Sequence, residues 1–167
     1  MKYYNTGIKD LKIRETSEED CNLILSFIRE IAEYEKMSDE VIATEETIRD
    51  SIFKNNRAEV VILELKEKPV GYALYFYNFS TFIGRSGLYL EDIFIRKEFR
   101  GMGIGKEAFK FLIKKAKEEG CKRVEWSCLN WNEPSIKFYK SLGAIPMDEW
   151  TTYRLSEKEI NIINELK

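Results

Sequence analysis

Three closely spaced glycines form the stretch of the chain with the clearest chemical potential. Gly101, Gly103 and Gly105 follow an apolar run typical of a strand and open a helical pattern. Backbone N–H groups at a helix start, together with the positive end of the helix dipole, can bind phosphate oxygens, and glycine allows close approach. The same glycines would also serve a tight turn that needs positive φ angles. We predict a phosphate-binding loop over residues 100–106, with the tight turn as the alternative.

The spacing of these glycines excludes two common nucleotide-binding motifs. It does not follow the Gly-x-Gly-x-x-Gly pattern of Rossmann dinucleotide sites. It does not follow the P-loop pattern either, because Glu107 comes after Lys106, where a P-loop has the Ser or Thr that binds magnesium. The predicted ligand is therefore a phosphate group of another kind of cofactor.

The absence of histidine narrows the possible catalytic chemistry. With 0 histidines, the chain has no imidazole base, no Ser/His/Asp or Cys/His nucleophile and no histidine-ligated zinc. Its cysteines, Cys21, Cys121 and Cys128, are odd in number and widely separated, which fits neither a disulfide framework nor a paired-cysteine metal site. We expect no metal, a reducing cytoplasm, and proton transfer by Glu, Asp, Tyr, Lys or Cys.

The composition is that of an ordinary globular protein. The 167 residues are 44% hydrophobic and 34% charged, which predicts one domain over residues 1–167. No apolar stretch approaches the roughly 20 residues that span a bilayer, and the first ten residues lack the core of a signal peptide. The net charge of −2 disfavours nucleic-acid binding. One local cluster of acidic residues favours a cationic ligand, or else forms a solvated helical face: Glu33, Glu35, Asp39, Glu40, Glu45 and Glu46.

The glycine loop resembles that of the GNAT family of N-acetyltransferases. The family signature, Arg/Gln-x-x-Gly-x-Gly/Ala, is matched by Arg100, Gly103 and Gly105. A second pattern, Asn-x-x-x-x-x-Phe-Tyr followed by a glycine, is matched by Asn132, Phe138, Tyr139 and Gly143. The chain resembles more closely the spermidine/spermine acetyltransferases and their diamine- or thialysine-acetylating relatives. That likeness runs over residues 11–155, and four segments carry it: Tyr34-Glu35, Leu88–Asp92, Arg100–Gly105 and Trp131–Ser135.

The resemblance implies acetyl-CoA as the cofactor and assigns three groups of residues to it. The loop would hold the pyrophosphate, the preceding strand would offer main-chain groups to the pantetheine arm, and a later helix would complete the site. The relatives often carry two arginines where this chain has Ser141 and Leu142, so one coenzyme contact differs. The implied residues are Ile93, Phe94 and Ile95 on the strand, Arg100, Gly101, Met102, Gly103, Ile104, Gly105 and Lys106 in the loop, and Asn132, Glu133, Pro134, Ser135 and Tyr139 at the helix.

The resemblance also implies a general acid, and the absence of histidine directs attention to a carboxylate base. Tyr139 would protonate the CoA thiolate; alternatively it is a core tyrosine packed with Phe138. Glu91 would take the proton of the amine, directly or through water; alternatively it is an ordinary strand carboxylate or an electrostatic anchor for the substrate. The expected amine-pocket residues are Tyr34, Glu35, Glu91, Glu125 and Trp126, and Trp126 could instead be buried in the sheet.

The predicted reaction is direct transfer of an acetyl group to a primary amine of a small polyamine or diamine. Alternatives are an amino-acid or thialysine N-acetyltransferase, a protein acetyltransferase, and a non-catalytic acyl-CoA-binding regulator. The resemblance further implies a homodimer.

The predicted strands and helices, which must position these residues, indicate an α/β (α+β) fold. The order of strands and helices favours a mixed sheet over a regular βαβ repeat. The resemblance implies a mostly antiparallel, twisted sheet flanked by helices, with splayed central strands. We expect an N-terminal extension over residues 1–10 and a terminal helix over 156–167. The predicted strands are Leu11–Arg14, Val60–Leu65, Val70–Phe79, Leu88–Ile95, Arg123–Leu129 and Trp150–Leu155. Five helices are predicted: one that ends near Lys36, one from Thr44 through Phe53, one from Gly103 to Glu119, one that begins at Asn132, and one over Glu157–Leu166.

Overall fold

The computed structural model of the chain describes residues 1–165. They fall into two compact units, Met1–Ser127 and a second that begins at Cys128. The strands, all in the first unit, are β1 (Tyr3–Asn5), β2 (Leu11–Glu15), β3 (Glu59–Leu65), β4 (Lys68–Ser80), β5 (Arg85–Ile95) and β6 (Val124–Trp126). The helices are α1 (Cys21–Glu35), α2 (Glu45–Ile48) and α3 (Ile104–Glu118) in the first unit, and α4 (Glu133–Ser141) and α5 (Glu157–Asn164) in the second.

The strands form one mixed, mostly antiparallel sheet in the order β1-β2-β3-β4-β5-β6. Every neighbouring pair is antiparallel except β5 and β6, which run parallel. Lys66 and Glu67 turn β3 into β4 with φ angles of 51° and 62°, which suits a tight hairpin. The predicted hairpin and the predicted mixed sheet are both confirmed.

Helix α1 covers one face of the sheet. Ile24 and Phe27 on the buried side of α1 are 0% exposed, and the Phe27 ring stacks on Tyr72 of β4 with centroids 5.3 Å apart. Val60 and Ile62 of β3 belong to the same buried cluster. Because strand side chains alternate between faces, these positions place the main core between α1 and the centre of the sheet.

Helix α3 covers the opposite face. Lys115 of α3 forms an ion pair with Glu59 at 3.4 Å, and Glu59 shares its side of β3 with the buried residues Val61 and Leu63. Phe109, which is buried on α3, meets Trp126 of β6 edge to face at 5.2 Å. The first unit is thus a sheet between two helical layers, with the glycine loop leading directly into α3.

The predicted late strand Trp150–Leu155 is wrong. Residues 150–155 have no regular secondary structure and are exposed, and none of the six strands pairs with them in the described part of the chain. The aromatic and β-branched residues there favour a strand, but a strand also needs a neighbour to pair its backbone groups.

Other boundaries differ from the prediction. The strand predicted over 123–129 contracts to Val124–Trp126, and the helix predicted through Phe53 continues past α2 as a π-helix over Arg49–Lys54. The N-terminal extension, for which no strand is predicted, contributes β1. The predicted end of the last helix, Leu166, lies outside the described residues.

Candidate active site

The glycine loop has the geometry that phosphate binding requires. Gly101 and Gly103 have φ angles of 78° and 81°, and Gly103 is the N-cap of α3 in the left-handed conformation. The first helical hydrogen bond of α3 runs from the Glu107 amide to the Gly103 carbonyl, at 3.2 Å. The amides of residues 104–106 therefore precede the helical ladder, at the positive end of the helix dipole.

The reason for glycine at position 105 distinguishes the ligand-binding interpretation from the tight-turn alternative. A turn explains the glycines at 101 and 103, because both have positive φ angles. Gly105 has no positive φ, and a Cβ at that position would meet nothing within 4 Å. Since neither backbone conformation nor internal packing requires glycine there, the open space favours the approach of a ligand. The loop thus has room for a phosphate group beside Gly105.

Strand β5 leads into this loop with one edge unpaired by strands. Its pairing with β6 ends at Leu90 and Trp126, whereas its pairing with β4 continues to Ile95. In the described residues, the segment from Glu91 to Ile95 therefore has a strand neighbour on one side only. This is the splay that the resemblance implies, and it leaves main-chain groups of Ile93 to Ile95 on an open edge. The carbonyl of Ile95 accepts a 2.8 Å hydrogen bond from Nε of Arg100.

Glu91 occupies an irregularity in the same strand. Leu74 pairs with Asp92 and Tyr75 pairs with Leu90, so Glu91 is the extra residue of a β-bulge. Bulges redirect side chains and are frequent beside active sites. The Glu91 side chain is exposed, which is compatible with the predicted exchange of protons with a substrate or water.

Asp92 and Glu35 form a pair of carboxylates, of which only Glu35 was predicted from the sequence as a pocket residue. Glu35 ends α1, and Asp92 follows the bulge on β5. Burial raises the pKa of Asp92, and a 2.6 Å hydrogen bond from the Tyr72 phenol lowers it again in part. Burial, followed by the charge of Asp92, raises the pKa of Glu35. Two neighbouring carboxylates whose pKa values are raised by burial are suited to an external cation.

Asp92 is a candidate site residue that the predicted amine pocket omits. It belongs to the segment Leu88–Asp92 that carries the family resemblance, but the prediction took Glu91 from that segment. The available signal was a carboxylate inside a strand of buried apolar residues, a position where burial perturbs the pKa.

Tyr34 lies against the glycine loop. The guanidinium carbon of Arg100 sits 4.5 Å from the centre of the Tyr34 ring and 5.5 Å from that of Phe94. A cation already stacks on Tyr34, although we predicted this ring as a face for the substrate ammonium. The contact joins the end of α1 to the first residue of the family signature. A groove beside it is lined by Glu30, Glu33, Tyr34, Phe94, Arg96, Lys97, Glu98 and Arg100.

The predicted pocket residues Glu125 and Trp126 have partners within the sheet and its neighbouring helix. The Glu125 carboxylate accepts a 2.8 Å hydrogen bond from Asn78 and pairs with Arg123 at 2.8 Å. Trp126 packs against Phe109 of α3. These contacts give both residues a role in the packing of β6.

The second unit holds the other half of the family pattern. Asn132 is 6% exposed and caps α4, where its Oδ1 accepts from the Ser135 amide at 3.4 Å. Pro134 stands in the first turn of α4, as predicted, where its missing N–H is not needed. Tyr139 lies on α4 and its ring contacts Phe138, with centroids 5.6 Å apart. The capping role of Asn132 explains its place in the pattern through local structure.

Within residues 1–165, no helix is both long and apolar enough to traverse a bilayer. In the same range, no three side chains of the kinds that ligate metals are grouped where they could hold an ion.

Comparisons with known proteins bear on the family of the chain. The model of the acetyltransferase (GNAT) family matches residues 24–144. The thialysine N-epsilon-acetyltransferase of Sus scrofa is 40% identical over 154 residues, which cover 85% of this chain and 90% of that protein. The spermidine/spermine N(1)-acetyltransferase-like protein 1 of Homo sapiens is 30% identical over 166 residues, covering 93% of this chain and 24% of that protein.

A solved structure supports the fold independently. An integron cassette protein from the mobile metagenome of V. cholerae superposes with a TM-score of 0.79 at 24% identity, covering 95% of this chain and 100% of the other. At that identity the likeness concerns the fold alone. With a family match over most of its length and a relative of 40% identity, the chain belongs to the GNAT family of N-acetyltransferases.

Proposed function

We propose that the chain is an acetyl-CoA-dependent N-acetyltransferase whose substrate is the side-chain amine of a small amino acid of the thialysine type. The observation that carries the proposal is the Glu35–Asp92 pair, two partly buried carboxylates whose pKa values are raised by burial, with the charge of Asp92 adding to the rise at Glu35; a bound ammonium would relieve both. The similarity to the thialysine enzyme of Sus scrofa supports the amino-acid class over the polyamine or diamine that we predicted first.

The charges of the groove beside Arg100 also favour an amino acid. Glu33 and Glu98 line it together with Lys97 and Arg100, whereas Glu30 and Arg96 in the same lining pair with each other at 2.7 Å. A zwitterion presents both an ammonium and a carboxylate to such a mixed lining, whereas a polyamine presents only cations. Polyamine or diamine acetylation is the second candidate, which the likeness to the human spermidine/spermine-type protein supports.

The proposed mechanism is direct transfer. Bound acetyl-CoA would supply an acetyl thioester. The amides of residues 104–106 would hold its diphosphate, and the open edge of Ile93 to Ile95 would orient its pantetheine arm. The reaction forms an amide C–N bond and breaks the thioester C–S bond.

Proton transfer completes the reaction. An alkyl ammonium must lose a proton before its nitrogen can attack, and Glu91 on the bulge would accept that proton directly or through water. The departing thiolate needs a proton, which Tyr139 would donate. Glu35 and Asp92 would hold the cationic substrate and take no part in bond making.

The domain organisation, the cellular location and the oligomeric state are part of the same proposal. We infer one acetyltransferase domain over the whole chain, a cytoplasmic location and a homodimer. The free thiols of Cys21 and Cys121 support a reducing compartment. The exposed apolar side chains of Trp150, Tyr153 and Leu155 support the dimer.

A thiol-release assay with a matched pair of amines tests the substrate class. S-(2-aminoethyl)-L-cysteine and its decarboxylated analogue, bis(2-aminoethyl) sulfide, carry the same reacting amine and differ in the α-carboxylate. We expect kcat/KM for the amino acid to exceed that for the diamine by about tenfold or more, because one charge-assisted contact is lost.

The other outcomes decide between the remaining candidates. A preference for the diamine sulfide or for spermidine would favour the polyamine candidate. If no amine in the panel releases thiol while CoA still binds, the chain is a non-catalytic acyl-CoA-binding regulator.

A further inference from the structure

The N-terminal arm, residues 1–10, lies along the helix that carries the glycine loop. Strand β1 within the arm pairs with β2, for example Tyr4 with Ile13. The Tyr4 ring then meets Phe111 of α3 edge to face, with centroids 4.9 Å apart. The arm is therefore tied both to the sheet and to α3.

Beyond β1 the arm continues toward the N-terminus of α3. The Gly7 amide donates a 2.8 Å hydrogen bond to Oε2 of Glu107. A Cβ at Gly103 would lie 3.6 Å from Cδ1 of Ile8, so Ile8 stands beside the N-cap of the helix. Positions 103, 107 and 111 follow one another on successive turns, which places all three contacts on one side of α3.

The arm has its own internal hydrogen bonds at the point of contact. The Thr6 hydroxyl accepts from the Ile8 amide at 3.1 Å and donates to the Leu11 carbonyl at 2.9 Å. The Asp10 carbonyl accepts from the Lys66 amide at 2.9 Å. Gly7 and Ile8 are thus presented to α3 by a backbone fixed on either side.

Glu107 is an unexpected residue beside a diphosphate site. Its side chain is 11% exposed and pairs with Lys110 at 2.6 Å. Hydrogen bonds from Lys110 and then from the Gly7 amide lower its pKa, so the carboxylate stays ionised at neutral pH. A fixed negative charge directly after the loop opposes an anionic ligand through simple electrostatics, although an acidic side chain in the first turn suits the helix dipole.

We propose that the N-terminal arm braces the coenzyme loop, with Glu107 as the positioning residue that receives the brace. Gly7 and Ile8 hold the first turn of α3, so that the amides of residues 104–106 keep the direction that a diphosphate needs. This inference rests on the proposed binding of acetyl-CoA, and it gives residues 1–10 a function in that binding.

Calorimetric titration with CoA tests the brace, because loss of the charge and loss of the brace change the Kd for CoA in opposite directions. Glu107→Ala removes a negative charge, which alone would tighten binding of an anion; loss of the brace predicts the opposite. We expect Kd for CoA to rise about three- to tenfold, in line with the loss of one charge-assisted hydrogen bond. Glu107→Gln keeps an acceptor for the Gly7 amide, and its Kd should stay within about twofold of wild type or below it.

A matched control and a truncation complete the set. Glu118→Ala removes the same charge from the far end of α3, where Glu118 is exposed, and should leave Kd within about twofold of wild type. Deletion of residues 2–8 also removes the Tyr4 and Ile8 contacts, so it should weaken CoA binding at least as much as Glu107→Ala does. Adding Glu107→Ala to the deletion should weaken it no further, because the Gly7 hydrogen bond is then already absent. In steady-state kinetics, KM for acetyl-CoA should rise while kcat and the amine KM stay the same.

The possible results distinguish failure of the brace from failure of the proposed function. If wild type binds CoA and Glu107→Ala binds it equally or more tightly, or if the two losses add, the brace is refuted while the acetyltransferase proposal stands. If wild type itself does not bind CoA, both proposals fall together.

Discussion

The phenol of Tyr72 donates a 2.6 Å hydrogen bond to Oδ2 of Asp92, between neighbouring strands of the sheet. Burial raises the pKa of Asp92, and this bond partly opposes the rise. Burial raises the pKa of the Tyr72 phenol as well, followed by the charge of Asp92, so the phenol keeps its proton and remains a donor. A carboxylate held in this way beside the end of α1 is a fixed negative centre in the candidate amine pocket.

The coupling between Asp92 and Glu35 predicts a measurable change in titration. The charge of Asp92 is the second cause, after burial, of the raised pKa of Glu35. Asp92→Asn removes that charge and keeps the size of the side chain, so the pKa of Glu35 should fall toward its ordinary value. Carboxyl-carbon NMR across a pH series measures the shift. Asp39→Asn, at an exposed position, should leave Glu35 unchanged, and an unaltered Glu35 titration in Asp92→Asn would show that the two groups are not coupled.

A buried ion pair at the start of α1 predicts a pH dependence of stability. Asp20 accepts two hydrogen bonds from Arg14, at 2.7 and 2.9 Å, and the two residues are 8% and 7% exposed. Burial alone would raise the pKa of Asp20, but the bonds from Arg14 and Ser17 outweigh it and the net pKa is lowered. Breaking such a pair by Asp20→Asn should cost about 3 kcal/mol in the free energy of unfolding.

The sign of the pH effect follows from the lowered pKa. The folded state holds the Asp20 proton less tightly than the unfolded chain, so the contribution of the pair is present above about pH 3.9 and is lost as the pH falls below that value. Urea unfolding at pH 7 and across the acid range measures both effects. Glu19→Gln in the same turn is exposed and should change stability by less than about 0.5 kcal/mol; a similarly small loss in Asp20→Asn would contradict the account.

The general-acid role of Tyr139 predicts a selective loss of turnover. Tyr139→Phe removes the hydroxyl and keeps the ring that contacts Phe138. We expect kcat to fall by tens-fold or more, in the range of general-acid effects, with KM for acetyl-CoA and the melting temperature unchanged. Tyr153→Phe is the matched control, since that side chain is 91% exposed. Unchanged turnover in Tyr139→Phe would remove the assignment and leave Tyr139 as a packing residue.

Local patterns allowed the main elements and the loop to be predicted. The periodic apolar face of α1, predicted from Leu23, Phe27, Ile31 and Tyr34, and the alternating strands of the β3–β4 hairpin depend on residues close in sequence. The glycine spacing at 101, 103 and 105 likewise predicts the start of α3. The structure agrees with these expectations because local preference and tertiary packing favour the same conformation there.

Features that depend on distant partners could not be predicted in this way. The segment 150–155 has strand-like residues, yet none of the described strands pairs with it. Asp92 gains significance only through Tyr72 and Glu35, which come from another strand and a helix. The contact between Gly7 and Glu107 joins residues from opposite ends of the first unit, and no pattern within either segment indicates it.

The most direct test of the central claim is the affinity of CoA for a variant at Gly105. A Cβ there meets nothing within 4 Å, so Gly105→Val should fold with an unchanged melting temperature. If the loop holds the diphosphate, the added side chain occupies the ligand's place, and the calorimetric Kd for CoA should rise by about tenfold or more. Lys114→Val, at a position with a 72% exposed side chain on the same helix, should bind CoA like wild type. Wild-type affinity in Gly105→Val would contradict the account, because the diphosphate would then have to bind elsewhere.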